Sequence, residues 1–258
     1  MYTSQEKPCS FLCTKEGKSV TILGKGNTSF DGKERVMFRN KILRDAADGF
    51  TAFVLFLFIV SGAVVLTLNF RPLYYMDIEK LEIEKRSGLS EDEIRENYDV
   101  LIAYNSMFSD GELEFPTLAM SDTGKIHFEE VKVIFVFFQQ MALFCGMLGV
   151  LSVILHVRRG SYRFWKLAGI FTLLIPAALG AAIAMNWDRA FVVFHQIAFD
   201  NDYWIFDAKT DPVITILPDT FFLHCAVMIL ALIVAGSLVC FAMYANRRRK
   251  ILQQQENK

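Results

Sequence analysis

The chain has 258 residues, of which 53% are hydrophobic and 21% charged, with 24 Phe and a formal net charge of −1. That is too apolar for an ordinary soluble domain and too charged for a chain made only of membrane spans. The expected class is an all-α polytopic membrane protein with one modest α(+β) extracytoplasmic cap.

Residues 1–48 are polar, rich in Gly, Ser, Thr and Lys, and read as a partly disordered cytoplasmic tail. No apolar core followed by a small-residue cleavage site marks a signal peptide. The basic cluster Lys33, Arg35, Arg39, Lys41 and Arg44 comes just before the first apolar run. Cys9 and Cys13 form a C-x3-C pair, but no second Cys/His pair accompanies it to favour zinc.

Four apolar runs follow, at residues 49–70, 133–155, 167–186 and 220–245. At 1.5 Å per residue, about 20 residues cross the hydrocarbon core, so each run is long enough. Pro176 is expected to kink the third. Cys145, Cys225 and Cys240 lie in these runs and read as small core residues. Orientation follows from Lys and Arg near the span ends. The residues before the first run, the loop 156–166 with Arg158, Arg159, Arg163 and Lys166, and the tail 246–258 with Arg247-Arg248-Arg249-Lys250 all fall on one parity. That side is expected to be cytoplasmic, together with both termini, which leaves 71–132 and 187–219 outside. Neither outside segment contains Cys, so no disulfide is available there.

In the first outside segment, a helix around Asp77 to Arg86 is expected to end at Gly88. Ser90-Glu91-Asp92-Glu93 fits a capping box for a second helix, with Ile94, Tyr98, Leu101 and Phe108 at helical spacing. Turns are then expected at Ser109 to Glu112, at Pro116 and at Ser121 to Gly124. The apolar pieces Leu113–Phe115 and Leu118–Met120 between them are expected to pair as small strands. In the second segment Trp187, Phe191, His195 and Phe199 recur every four residues. They fall on one face of a helix that continues from the third span or lies at the interface. Trp187 and Trp204 suit an aromatic belt.

Of the four histidines, His156 beside Arg158 reads as interfacial, and His224 reads as structural or supporting. His127 and His195 each sit near a membrane boundary, flanked by Phe and carboxylates: Glu129 and Glu130 near the first, Asp200, Asp202, Asp207 and Asp211 near the second. Two chemistries fit such groups. One is a metal site; the other is acid–base work by imidazoles that carboxylates orient. No H-E-x-x-H spacing favours the metal, and no G-x-S-x-G elbow or Cys motif points to a covalent nucleophile. Ser106 and Ser121 lie in turn-like contexts, where Ser commonly bonds locally.

The run His127-Phe128-Glu129-Glu130-Val131-Lys132 resembles a signature of the bacterial lipoprotein intramolecular transacylases, four-span membrane proteins known from Gram-positive bacteria. So do Phe194-His195-Gln196-Ile197-Ala198-Phe199-Asp200-Asn201-Asp202-Tyr203-Trp204, Thr210-Asp211-Pro212-Val213-Ile214 and Leu217-Pro218-Asp219-Thr220-Phe221-Phe222. The helix from Tyr98 to Asn105 fits as well. The resemblance covers roughly residues 45–245. Three departures are a long N-terminal extension, Glu130 where Asp is expected, and Ala208 where Pro is expected.

The resemblance implies an outward-facing enzyme. It would move the sn-2 acyl chain of a diacylglyceryl lipoprotein to the α-amino group of its N-terminal Cys, with His127 and His195 as the catalytic pair. His195 would be base and His127 acid, in an order that could be reversed. Asn201, Trp204 or a backbone amide would stabilise the oxyanion. Asp202 and Asp211 would orient imidazoles or cap the fold, and Glu130 and Tyr98 complete the set of binding or orienting residues. The expected partners are the lipoprotein substrate and membrane lipid, with no nucleic acid, no cofactor, no metal and a monomeric state. Two rival readings are a non-catalytic membrane protein that binds lipid or a partner chain, and a metal-dependent membrane hydrolase.

Overall fold

A computed structural model describes residues 28–256. The Cys9–Cys13 pair and the tail before Thr28 lie outside the described residues. The chain divides into two compact units, 1–43 and 44–258. Of the first, the described part is helical. The second carries everything argued below.

Nine helices lie among the described residues: α1 Thr28–Asn69, α2 Arg71–Lys80, α3 Ile83–Ser87, α4 Glu91–Tyr104, α5 Asp122–Arg158, α6 Arg163–Met185, α7 Trp187–Ala198, α8 Val213–Ile216 and α9 Asp219–Glu256. Four of them, α1 from Arg39 onward, α5, α6 and α9, are long and apolar enough to cross a membrane. The protein is a multi-pass membrane protein. Helix α1 starts well inside the stretch that reads as a polar tail. No proline lies between Thr28 and Pro72, and Lys, Arg, Glu and Ala are good helix formers, so nothing local stops it.

Small residues let the spanning helices approach each other, as is common within membranes. A Cβ on Gly236 would sit 2.6 Å from the Ile59 side chain, and one on Gly169 would sit 2.9 Å from the Phe241 ring. Ser237 Oγ donates to the Gly169 carbonyl at 2.8 Å, which ties α9 to α6. Helix α6 runs through Pro176 without a break. Much of α5, including Val133, Phe137, Phe144 and Met147, faces outward, as a lipid-facing surface should.

At the end of these helices that carries Arg158 and Arg163, His156 is buried in the last turn of α5. Its Nε2 lies 3.2 Å from Asp48 Oδ1, and its Nδ1 lies 2.8 Å from the Ser152 carbonyl. Ser161 Oγ donates to the same Asp48 oxygen at 2.8 Å. The sequence hides this cluster because its members are far apart in the chain.

The cap at the other end is built from α2, α3, α4, the 105–121 segment and α8. Its core gathers Tyr74, Ile78, Ile83, Ile94, Tyr98, Leu101, Leu113, Phe128, Ile216 and Phe221. The single helix expected around Asp77 to Arg86 is two. Glu82 takes a left-handed backbone (φ 51°) that ends α2 and swings Ile83 into the core. Gly88 closes α3 at φ 74°, and the Ser90–Glu93 capping box opens α4. Phe108 does not join the packed face and is 81% exposed. The helix ends at Asn105, whose Nδ2 donates to the Leu101 carbonyl while Gln139 Nε2 donates to the Asn105 carbonyl. This cap turns the chain before Phe108.

No strand forms among the described residues, so the expected pairing of Leu113–Phe115 with Leu118–Met120 is corrected. The Asn97 side chain satisfies Thr117 instead. Its Oδ1 accepts the Thr117 N–H at 3.3 Å, and its Nδ2 donates to Thr117 Oγ1 at 2.6 Å. A backbone bonded to a helix side chain does not need a partner strand there.

The expected turn at Ser121 to Gly124 is the start of α5. Ser121 is its N-cap, with Oγ accepting the Gly124 N–H at 3.0 Å. Asp211, from the segment before α8, accepts the Ser121 N–H at 2.8 Å. A Cβ on Gly124 would lie 2.2 Å from that carboxylate oxygen. Gly124→Ala therefore forces the Asp211 carboxylate away and should destabilise the fold by about 1–3 kcal/mol. Thermal unfolding in detergent reads this as a lower Tm, and an unchanged Tm would mean the junction is not tight.

Candidate active site

Asn186 separates α7 from α6. Its extended backbone (φ −167°, ψ 106°) ends α6, and its side chain accepts the Arg189 N–H at 2.9 Å to open α7. Helix α7 is thus its own element and does not continue α6. Along it, Trp187, Phe191 and His195 form a row of mutually tilted rings with centroid separations of 5.7 and 4.2 Å. Phe199 follows just past the helix end, 5.8 Å from His195.

The His195 ring is fixed on two sides. Nδ1 lies 2.8 Å from the Phe191 carbonyl, which can only accept, so Nδ1 carries the proton. In the neutral ring Nε2 therefore holds the lone pair. Trp204 stacks on the imidazole with centroids 4.7 Å apart. Burial pushes the His195 pKa below its ordinary value, although the bond to the Phe191 carbonyl opposes the shift.

His127 lies in the second turn of α5 and is 5% exposed. Phe199, Phe206 and Phe128 surround it at centroid distances of 4.8, 5.4 and 5.7 Å. Its Nδ1 is buried and has no hydrogen-bond partner among the described residues. The two imidazoles are neighbours, with ring centroids 6.3 Å apart. One reacting group can touch both.

Asn201 organises the loop between them. Its Nδ2 donates to Glu130 Oε1 at 2.9 Å, its Oδ1 accepts the Tyr203 N–H at 3.0 Å, and its carbonyl accepts the Trp204 indole N–H at 3.1 Å. The last bond sets the plane that stacks on His195. It also means that the Trp204 N–H is already used and is not free as an oxyanion donor.

The other expected residues stand further off. Asp202 is exposed, and its carboxylate bonds to neither imidazole. Asp211 is 3% exposed and holds the Ser121 N–H and the Thr210 hydroxyl, so it caps the fold and does not orient a histidine. Tyr98 stacks on Tyr74 at 3.7 Å in the cap core, against Phe221 and away from both imidazoles. Burial raises its pKa far above the ordinary tyrosine range.

Sequence reasoning did not find Phe206 or the pair His224–Asp77. In that pair Nδ1 lies 2.7 Å from Oδ2, and Asp77 is 1% exposed. The available signal was an Asp set among Tyr74 and Ile78 on the buried face of α2. Among the described residues no three His, Cys, Asp or Glu groups converge as a metal site would require.

The sequence model of the family described as lipoprotein intramolecular transacylase Lit matches residues 50–222, a range that contains both histidines. Among solved structures, the membrane integral lipoprotein intramolecular transacylase Lit from Bacillus cereus is 36% identical to this chain. The match covers 83% of this chain and 99% of that one, with a TM-score of 0.81. Two variants of the same Bacillus cereus protein, in which a histidine is replaced by arginine or by alanine, match at 36% identity with TM-scores of 0.78 and 0.77. They cover 86% and 85% of this chain and 99% of their own. No curated protein sequence matches the chain.

The geometry around His195 predicts its titration. In an NMR titration of the detergent-solubilised protein, the His195 ring should protonate below the ~6.5 of a free imidazole. Trp204→Ala, which lets water reach the ring, should move the midpoint back toward that value. A wild-type midpoint at or above ~6.5 would contradict the desolvated setting.

Proposed function

The chain belongs to the lipoprotein intramolecular transacylase family, and we propose that His127 and His195 carry its reaction. The enzyme moves the sn-2 acyl chain of a diacylglyceryl-modified lipoprotein to the α-amino group of the lipoprotein's N-terminal Cys. The product is an N-acyl, S-monoacylglyceryl lipoprotein. The observation that carries the assignment of the site is the pair of imidazoles 6.3 Å apart inside an aromatic enclosure.

Nucleophile and ester belong to the same substrate, so the protein needs no nucleophile of its own. Holding the two together makes the step unimolecular, which can contribute roughly 7–11 kcal/mol. The amine nitrogen attacks the ester carbonyl carbon, a C–N bond forms, and the C–O bond to the glyceryl carbon's oxygen breaks. His195 is the base, because its free Nε2 lone pair can accept the proton that leaves nitrogen. His127 delivers a proton to the departing glyceryl oxygen. Transfer of the proton from the His195 imidazolium to His127 then restores both rings, so that one proton has moved in net from N to O, and each transfer is worth on the order of 10²–10⁴ in rate. Phe128, Phe191, Phe199 and Phe206 are the walls, and they support a substrate whose reacting ester is attached to acyl chains.

The arrangement of basic clusters supports cytoplasmic termini and a site that faces outside. A Cys placed at exposed Asp202 should then react with a membrane-impermeant thiol reagent in intact cells, and protection until lysis would reverse the orientation.

The test of function is mass spectrometry of lipoprotein N-terminal peptides from a host that lacks its own N-acylation. The wild-type chain should convert diacylglyceryl peptides to the N-acyl lyso form. His195→Ala and His127→Ala should each lower conversion by about 10²–10⁴. Full conversion by either variant would remove that residue from the mechanism, and unchanged peptides with the wild type would overturn the function.

A further inference from the structure

An α-amino group has a pKa of about 7.7–8.0, so at neutral pH the substrate arrives mostly as an ammonium. An ammonium nitrogen carries two more protons than the amide nitrogen it becomes. One ends on the glyceryl oxygen through the histidine pair. The other must leave before nitrogen has a lone pair with which to attack, and it needs an acceptor of its own.

Glu130 lies three residues beyond His127 on α5, about one turn away on the neighbouring part of the same face. Its Oε1 is occupied by Asn201 Nδ2 at 2.9 Å. Its Oε2 is buried and meets no donor among the described residues. The same Asn201 holds Trp204, and Trp204 stacks on His195. The free carboxylate oxygen is thus linked to one imidazole through a helical turn and to the other through a four-residue loop. A buried carboxylate oxygen without a donor is costly, and a cationic guest relieves that cost. The other carboxylates nearby are unsuited: Asp202 is exposed, and both oxygens of Asp211 are already bonded.

We propose that Glu130 binds the α-ammonium of the lipoprotein's N-terminal Cys and accepts its first proton. This rests on the transacylase reading. The ammonium gives one proton to the carboxylate, which passes it to bulk water. The neutral amine then attacks the ester, C–N forms, C–O breaks, and the second proton moves from nitrogen to the glyceryl oxygen. Ammonium plus ester gives amide, alcohol and one released proton, so the step balances without a co-reactant.

The test uses Glu130→Gln, which keeps an oxygen for Asn201 and removes the charge, with Glu130→Asp as the conservative control. Conversion of a synthetic diacylglyceryl lipopeptide by the full-length protein is followed at pH 7 and pH 9, with thermal unfolding to confirm folding. The group bonded to the carboxylate is the neutral Asn201 amide, with His127 the titratable neighbour on its own helix, so the large change between these two pH values is the charge of the substrate amine. Glu130→Gln should lose at least tenfold at pH 7 and recover much of that loss at pH 9, where the amine arrives neutral. Glu130→Asp should retain more activity than Gln at pH 7. Wild-type-like turnover by Glu130→Gln, or a loss of equal size at both pH values, would overturn the proposal and leave only a tie to Asn201.

Binding decides the matter separately from turnover. The wild type should bind the free-amine lipopeptide more tightly than its N-acetylated form at pH 7, and Glu130→Gln should lose that preference. No preference in the wild type also overturns the proposal. A wild type that shows the preference but makes no lyso product overturns the transacylase reading and leaves ammonium binding by Glu130 standing.

Discussion

The site depends on where α5 begins, and a carboxylate from a distant segment settles that. Asp211 accepts the N–H of the α5 N-cap residue and lies so close to Gly124 that no side chain fits between them. A negative charge at a helix N-terminus is stabilising in any case, by about 0.3–1 kcal/mol and more when partly buried. Here it also has a geometric consequence. His127 lies in the second turn, so the helix phase set at Ser121 is the phase that turns His127 and Glu130 toward the loop 199–206. The bond therefore joins the segment before α9 to the helix that carries one histidine.

The aromatic enclosure does two things at once. It supplies apolar walls for lipid, and it partly shields His195 from water. The second effect lowers the pKa of that ring, which favours the neutral form that can act as a base. An enclosure of Phe and Trp alone would offer nothing polar to a charged amine. Glu130 provides a buried carboxylate oxygen near the pair that lacks a donor among the described residues. The loop that holds Glu130 is the same loop that holds Trp204 against His195, so packing, protonation and binding share one short segment.

Two further His–Asp pairs lie outside the site. His224–Asp77 ties α9 to α2 beneath the cap, and His156–Asp48 ties α5 to α1 at the other end. Both Asp residues are buried, and an unpaired buried carboxylate would be strongly unfavourable. Such pairs fix which helices are neighbours where apolar packing against lipid specifies little, since lipid tails are as apolar as leucine.

Local order was legible in the amino-acid sequence by itself. The apolar runs, the Ser90–Glu93 capping box, the Gly88 stop and the i, i+4 stripe from Trp187 to His195 all follow from spacings within a few turns. The two His-centred motifs were legible as candidates for the same reason, because each is a contiguous string. What the tertiary structure alone decided is which distant groups meet. Asn201 and Glu130 are 71 residues apart, Ser121 and Asp211 are 90 apart, and His224 and Asp77 are 147 apart. No period or cap encodes those pairings, because each is the outcome of how helices pack and which buried polar groups then find a partner. The strands expected at 113–115 and 118–120 do not form, and between them the Thr117 N–H bonds to the Asn97 side chain on α4, a long-range partner of which a spacing of apolar residues carries no record.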